Sequence, residues 1–282
     1  MSSPGQIKTG VIAAAGSATR MWPASKVVPK ELFPLGRMPA IAHIVSEFVQ
    51  AGIDKIVLVV AEQNLALIGG LFNRSVHAPP KVARDPVAQH FEAMLGCAKF
   101  IMIPQTGQYG NAMPLILAAD EVGEESCIYA FGDDVVFGEN SSIGLIDVYG
   151  RTGRPVLAAQ EVDPSKKSSF GIIESRCENG VHYVTRLIEK PRADETASNL
   201  ASFGRYLVTP DLMQVLKETR PGRDSEVWFV DGVIHELARQ KRVCVFPLAA
   251  GTWYTVGDPR SYADAVWAAQ NAPTPDFIAR IV

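Results

Sequence analysis

Thr9-Gly10-Val11-Ile12-Ala13-Ala14-Ala15-Gly16-Ser17-Ala18-Thr19-Arg20-Met21-Trp22-Pro23-Ala24-Ser25-Lys26-Val27-Val28-Pro29-Lys30-Glu31 sets the architecture of the chain. Its first part, Thr9 to Ala15, is an apolar run ending in small residues and reads as a strand. From Gly16 to Pro34, Pro, Lys and Gly recur, and a long loop is expected. Downstream, Ile41, Ile44, Val45, Phe48 and Val49 share one face at helical spacing, which predicts a helix from Ile41 to Ala51 stopped by Gly52. Ile56 to Ala61 is apolar throughout and rich in β-branched residues, the pattern of a parallel strand buried on both faces. Strand, loop, helix and strand make a βαβ unit, the seed of a doubly wound sheet.

The alternation continues. Strands are expected at Phe100 to Pro104, Ser126 to Phe131 and Val156 to Glu161, with helices at Met113 to Glu121 and Ile143 to Tyr149. Pro86 to Gly96 has helical character, and Phe72 to Pro86 is irregular. From Phe170 the texture changes to short strand-like runs, Gly171 to Ser175, Val181 to Ile188 and Leu200 to Val208, with a turn at Glu178-Asn179-Gly180. Helices return at Pro210 to Lys217 and Asp231 to Gln240, then a strand at Val243 to Leu248 and a last helix near Ser261 to Gln270. No repeat or linker interrupts the 282 residues, so a single α/β domain is expected over 1–282.

Composition narrows the function. Hydrophobic residues are 47% and charged residues 20%, as in ordinary globular enzymes. A net charge of -3 argues against a nucleic-acid binder. No stretch reaches the roughly 20 apolar residues that span a bilayer, and Met1 to Thr9 lacks a secretory pattern, so a cytoplasmic protein is expected. Cys97, Cys127, Cys177 and Cys244 form no CxxC pair, which disfavours zinc. The dispersed histidines, the missing HExxH and the missing GxSxG remove zinc-protease and serine-hydrolase chemistry.

The loop after the first strand carries the chemistry. Ligands of doubly wound sheets sit beyond the carboxyl ends of strands. Small residues there let backbone N–H groups approach a phosphate, and Arg20, Lys26 and Lys30 supply positive charge. Neither GxGxxG nor GxxxxGK[ST] is present. Composition alone leaves open a surface loop whose cations are merely solvated. Asp133 ends an apolar strand beside Gly132, a position from which a carboxylate reaches the ligand crevice and suits magnesium; a plain turn aspartate is the alternative.

Val11 to Val60 resembles the N-terminus of bacterial UTP–glucose-1-phosphate uridylyltransferases and, more loosely, of glucose-1-phosphate thymidylyltransferases. The resemblance runs in order through Gln105 with Gly110-Asn111-Ala112, Gly132-Asp133-Asp134, Glu189-Lys190-Pro191, Ser198-Asn199-Leu200-Ala201, Gly204-Arg205-Tyr206 and Glu226 to Asp231. It implies a Rossmann-like, doubly wound, mixed but mainly parallel sheet with helices on both faces, of the nucleotide-diphospho-sugar transferase type, with a small sugar-side β subregion. It also implies a nucleotide-binding half at about 9–135 and a sugar-phosphate-binding half at about 136–282. By the same resemblance, the Ala15-Gly16 backbone contacts base and ribose, with Ala14, Ser17 and Thr19 also on the nucleotide, Arg20 holds the triphosphate, Lys30 neutralises the α-phosphate and Lys26 assists. Gln105 reads the pyrimidine edge and Gly110 lets the base lie close. Asp134, Gly171, Glu189, Lys190 and Arg205 fall on the sugar-phosphate side. The activity implied is transfer from a nucleoside triphosphate to a sugar 1-phosphate, foremost UTP with glucose 1-phosphate, with Mg2+ on Asp133 and a homodimer or homotetramer as the assembly.

The pattern breaks at three places. Ala18 stands where the family has a second glycine, and Thr255 where relatives commonly carry a metal-binding aspartate, with Asp258 as a possible substitute ligand. Trp228 and Phe229 replace the usual polar and aliphatic residues of the Glu226 to Asp231 stretch. Two rival readings follow: the same chemistry with another base or sugar, such as thymidylyl transfer, and a catalytically weak homologue that binds nucleotide sugar for regulation.

Overall fold

The computed structural model describes residues 6–222 and 225–271. Residues 1–5, on which part of the leader reading rests, 223–224, and 272–282, the end of the expected sugar-phosphate half, lie outside the described residues. The chain opens with β1 (Thr9–Ala14), a hairpin of β2 (Pro34–Leu35) and β3 (Met38–Pro39), α1 (Ala40–Gln50) and β4 (Lys55–Ala61). It continues with α2 (Leu65–Leu71), α3 (Pro86–Cys97), β5 (Lys99–Gln105), α4 (Met113–Leu117), α5 (Ala119–Val122), β6 (Cys127–Phe131), β7 (Asp134–Phe137) and α6 (Ser141–Thr152). The remainder is β8 (Val156–Glu161), β9 (Gly171–Glu178), β10 (Val181–Glu189), β11 (Leu200–Val208), α7 (Pro210–Glu218), α8 (Phe229–Ala238), β12 (Cys244–Pro247), β13 (Thr252–Thr255) and α9 (Pro259–Asn271).

Nine strands form one sheet in the order β5-β4-β1-β6-β11-β8-β12-β10-β9. β5, β4, β1 and β6 are parallel. β11 then runs antiparallel to both β6 and β8, β12 parallel to β8, and β10 and β9 antiparallel again. The sheet is mixed and mainly parallel, as expected: seven of its nine strands run one way, and β10 and β11 run against them. The reversal at β10 is local. Short connections such as Asn179-Gly180, both at positive φ, can only turn the chain back on itself. From β1 the chain steps to β4 and β5 and then returns to β6 on the other side of β1, so the crossover switches direction there. The carboxyl ends of β5, β1 and β6 consequently open on one edge, where α/β sheets place their ligands.

Side-chain alternation builds two cores. Ile12 and Ala14 of β1 and Ile56, Leu58 and Val60 of β4 face α1, whose Ile41, Ile44, Val45 and Phe48 are buried against them. Val11, Val57 and Val59 face the opposite side with Leu115, Leu212 and Val233 from α4, α7 and α8. This is why β4 is apolar from Ile56 to Ala61. The expected helix from Met113 to Glu121 is split at Ala118, where ψ relaxes to -2°. A two-stranded ribbon, β7 with β13, was not legible: its partners lie more than a hundred residues apart, and each strand has 4 residues. Glu139 ties the ribbon down, its Oε2 accepting from the backbone N–H groups of Ala249, Ala250 and Gly251 at 3.0, 3.1 and 3.0 Å. Among the described residues no helix is long and apolar enough to cross a membrane.

Arg205 corrects an expectation. Alternation along β11 puts its side chain on the α1 side of the sheet with Phe203 and Leu207, 0% exposed. Its Nε and Nη2 donate to Glu47 Oε1 and Oε2 at 3.2 and 3.1 Å, and Nη2 also donates to the Asp134 carbonyl at 2.9 Å. Nη1 donates to the Gly204 carbonyl at 3.0 Å, so all three guanidinium nitrogens are held inside the fold, and Arg205 is a strut between α1, β7 and β11 and not a sugar-phosphate ligand. Asp134, also expected on the sugar-phosphate side, is buried with it: Oδ2 accepts from the Gly204 N–H at 2.9 Å. Removing one partner of such a pair strands the other's charge. Arg205→Met should lower the unfolding free energy by about 3–5 kcal/mol, and adding Glu47→Met should recover most of it. Urea unfolding of both variants checks this; a loss under about 1 kcal/mol in the single variant would contradict the strut.

Candidate active site

The loops after β5, β1 and β6 enclose a cavity of about 290 Å³. Ala13, Ala15, Gly16 and Ser17 line it from the β1 side, Gln105, Tyr109, Gly110 and Asn111 from the β5 side, and Phe131 and Asp133 from β6. Lys30, Glu31, Pro114 and Glu226 complete the wall. Six expected residues thus meet in one cavity with Asp133: Ala15, Gly16, Ser17, Lys30, Gln105 and Gly110. Ala14 does not. Alternation along β1 sends its side chain into the α1 core, and Ala13, its neighbour, faces the ligand instead.

Lys30 and Asp133 form an ion pair at the inner end, Nζ donating to Oδ2. Burial works against the Lys30 charge, but the carboxylates of Asp133 and Glu31 outweigh it and hold its pKa above 10.5. A Cβ on Gly16 would sit 3.4 Å from this Nζ, so the ammonium lies directly against the β1 loop. Arg20 approaches from the same loop. A Cβ on Gly257 would lie 3.1 Å from Asp133 Oδ2, 3.3 Å from Thr255 Oγ1 and 3.4 Å from Arg20 Nη2, so these groups ring a single point. Thr19 and Lys26 sit farther out on exposed turns, Lys26 over the Trp22 ring at 5.7 Å. Ala18 adopts φ 48°, ψ 36°, a left-handed conformation that costs a non-glycine residue about 1–2 kcal/mol.

At the other end, Gln105 Nε2 donates to the Gln108 carbonyl at 3.2 Å, while its Oε1 is buried without a hydrogen-bond donor among the described residues. Gly110 has φ 133°, and a Cβ there would fall 2.2 Å from the Val227 carbonyl oxygen, so only glycine fits. That close approach comes from a backbone zipper. Val227 N–H donates to Tyr109 O and Ala112 N–H to Val227 O, both at 3.1 Å, and Phe229 N–H donates to Asn111 Oδ1 at 2.7 Å. The segment before α8 is thereby stitched to the loop after β5.

Glu189 and Lys190 end β10 across the sheet from Gly171, where a Cβ would meet Glu189 Oε2 at 3.0 Å. Lys190 stands at φ 50° and its Nζ lies over the Trp228 ring, 5.3 Å from the centroid. The Gly171, Glu189 and Lys190 group is outside the residues lining the cavity but adjoins it through Trp228, Asn111 and the Phe131–Tyr206–Phe229 ring cluster.

Among the described residues no group of three or more His, Cys, Asp or Glu side chains converges as a self-sufficient metal site. Asp258 is not a spare ligand. Its Oδ1 caps α9, accepting from Arg260 and Ser261 N–H at 3.1 and 3.0 Å, which corrects its place as a substitute for the missing aspartate. Thr255 Oγ1 accepts from Gly257 N–H at 3.2 Å. Asp133 remains, and one carboxylate beside a phosphate-sized space is a donor set that magnesium, which keeps waters and takes substrate oxygens, fits.

Cations and a carboxylate gathered at the carboxyl edge of parallel strands, facing an amide at the far end of the same cavity, define a nucleotide-handling α/β protein. The chain belongs to the nucleotidyl transferase family, whose model matches residues 9–271. It is 32% identical over 257 residues, 90% of this chain and 88% of the relative, to a UTP–glucose-1-phosphate uridylyltransferase of Staphylococcus saprophyticus. It is 32% identical over 232 residues to that of Staphylococcus haemolyticus, covering 81% of each. A solved UDP-glucose pyrophosphorylase complexed with UDP-glucose superposes with a TM-score of 0.84 at 25% identity, covering 94% of this chain and 98% of the other. A UTP-bound enzyme from Acinetobacter baumannii shares the fold with a TM-score of 0.78, over 93% and 92% of the chains.

Glu31, next to Lys30 in the loop, is a further residue of the site. It is 2% exposed and lines the cavity beside Lys30. Burial pushes its carboxyl up to about 7, against the pull of Lys30 and with the help of Asp133. Burial and the Asp133 charge likewise lift Asp134 to about 6. A raised folded pKa stabilises the protein fully below the ordinary value of 4.5, and that contribution is lost as pH climbs through about 7. Glu31→Gln should therefore flatten the fall in stability across this window and gain on the order of 2–3 kcal/mol over the native chain at pH 8. Urea midpoints at three pH values test this; an unchanged slope would contradict it.

Proposed function

We propose that the chain joins a nucleoside triphosphate to a sugar 1-phosphate, with UTP and glucose 1-phosphate as the pair, forming UDP-glucose and pyrophosphate. The single observation that carries the reading is the cavity itself: Gln105, with a buried Oε1 awaiting a donor, lies at one end and the Lys30–Asp133 pair at the other. A uracil edge offers a ring N–H to that oxygen, and the triphosphate extends towards the cations.

The sugar phosphate oxygen, already an anion at neutral pH, attacks the α-phosphorus in line as the bond to pyrophosphate breaks. No general base is needed. The work of the protein is to align two polyanions and neutralise the charge between them. Lys30 is placed to balance the α-phosphate, Arg20 the outer phosphates, and Lys190 the sugar phosphate, while Glu189 accepts hydrogen bonds from sugar hydroxyls. Magnesium, held by Asp133 and substrate oxygens, would supply further charge neutralisation to the triphosphate. The nucleotide-binding half is then about 9–135, and the remainder the sugar-phosphate half. The four free thiols suit a cytoplasmic site of action, and the exposed Trp267 on α9 suits a homodimer or homotetramer.

Pyrophosphate release from UTP with glucose 1-phosphate, against a panel of other triphosphates and sugar phosphates with and without magnesium, tests the reading. UTP with glucose 1-phosphate should lead the panel; a thymidine triphosphate preference, or no turnover with any pair, would overturn it. Asp133→Asn should lower kcat by at least about 100-fold with the fold intact. Gln105→Ala should raise KM for UTP by about 10-fold or more, the loss of one to two net hydrogen bonds, with little change in KM for glucose 1-phosphate. Near-native kinetics in either variant would remove that residue from the site.

A further inference from the structure

Trp228 belongs to no part of the mechanism above, yet it touches the cation that the mechanism assigns to the sugar phosphate. It precedes α8, is partly exposed, and sits in a segment whose backbone is held on both sides. On one side Val227 is zipped to Tyr109 and Ala112; on the other, Phe229 N–H is held by Asn111 Oδ1. Its ring faces the Lys190 ammonium at 5.3 Å. Two residues on, Val230 Cγ2 would lie 3.6 Å from a Cβ on Gly171, so the same short segment also backs the Gly171–Glu189 pair. Lys190 meanwhile holds φ 50°, an unfavourable backbone for lysine that points to an over-determined position.

We propose that Trp228 is a positioning residue for sugar-phosphate recognition: its indole face seats the Lys190 ammonium and ties that cation to the loop that reads the base. The proposal rests on the sugar-phosphate role given to Lys190 above. An ammonium on a flexible four-carbon stem samples many rotamers. An aromatic face within about 6 Å of it favours those in which the charge lies over the ring. The ring accepts the cation without neutralising it, so a phosphate can still bind on the open side. Because Trp228 is rooted in the 109–112 zipper, the spacing between the base pocket and the sugar-phosphate charge is set by one rigid segment.

Calorimetric titration of UDP-glucose and of UTP into the full chain and into Trp228→Leu, Trp228→Phe, Lys190→Ala and the Trp228→Leu/Lys190→Ala double variant tests this. Trp228→Leu should weaken UDP-glucose by about 5–20-fold, the size of a partly desolvated cation–π contact. UTP should stay within about twofold, Trp228→Phe should retain most of the affinity, and Trp228→Leu should have no further effect once Lys190 is gone. In steady state the loss should fall on KM for the sugar phosphate more than on kcat. Equal weakening of UTP and UDP-glucose, or the same loss with and without Lys190, would overturn the assignment and mark Trp228 as structural. Absence of UDP-glucose binding to the native chain would also overturn it. Absence of pyrophosphate release despite UDP-glucose binding would overturn the enzymatic reading alone.

Discussion

Lys30 and Asp133 come from loops that follow two adjacent parallel strands, and their contact is the point around which the site is arranged. β1 and β6 share a register that brings Ala13 opposite Phe131, so the chain leaves both strands at the same height. A lysine from one exit and a carboxylate from the other then meet where the crossover reverses. Asp133 keeps Lys30 charged where burial works against charge, as the raised carboxyls of Glu31 and Asp134 nearby show. The result is a prepaid electrostatic arrangement: charge stands ready before a polyanion arrives, and little reorganisation is needed when it does.

What surrounds the pair is organised to hold it still. Arg205, buried beneath and held by Glu47, donates to the backbone carbonyl of Asp134, the residue next to Asp133. Ser141 and Ser142 complete the Glu47 carboxylate with hydroxyl donors at 2.7 and 2.6 Å. Glu139 anchors the β7–β13 ribbon that brings Thr255 and Gly257 alongside. Fixed charges of this kind do little for net stability, because desolvation offsets most of their attraction. Their consequence lies in geometry, and the geometry serves the turn at Asp133.

The βαβ opening was legible because burial on both faces forces apolar residues from Ile56 to Ala61 of β4, whereas α1 needs only one apolar stripe. The cavity residues were legible for a related reason: loops at the carboxyl ends of parallel strands share one edge wherever the strands stand in the sheet. Legibility failed where a side chain's direction depended on register. Ala14 and Ala13 differ by one step along β1, and nothing in a run of three alanines tells which faces the ligand. Arg205 falls on the α1 side by plain alternation with Phe203 and Leu207, and which side that is cannot be read from Gly204-Arg205-Tyr206 alone. The ribbon of β7 and β13 joins segments more than a hundred residues apart, and Asp258 looked available only until the start of α9 claimed it. Glu31 left a faint signal, an acidic residue wedged between Lys30 and two apolar residues.

The central claim is that the Lys30–Asp133 pair marks the place of the triphosphate. A crystal structure of the chain with UTP and magnesium tests it most directly. The account predicts that the Lys30 ammonium transfers from Asp133 to an α-phosphate oxygen, that the freed Asp133 carboxylate faces the metal, and that the uracil ring meets Gln105. A nucleotide bound elsewhere on the chain, with the Lys30–Asp133 contact unchanged, would contradict it.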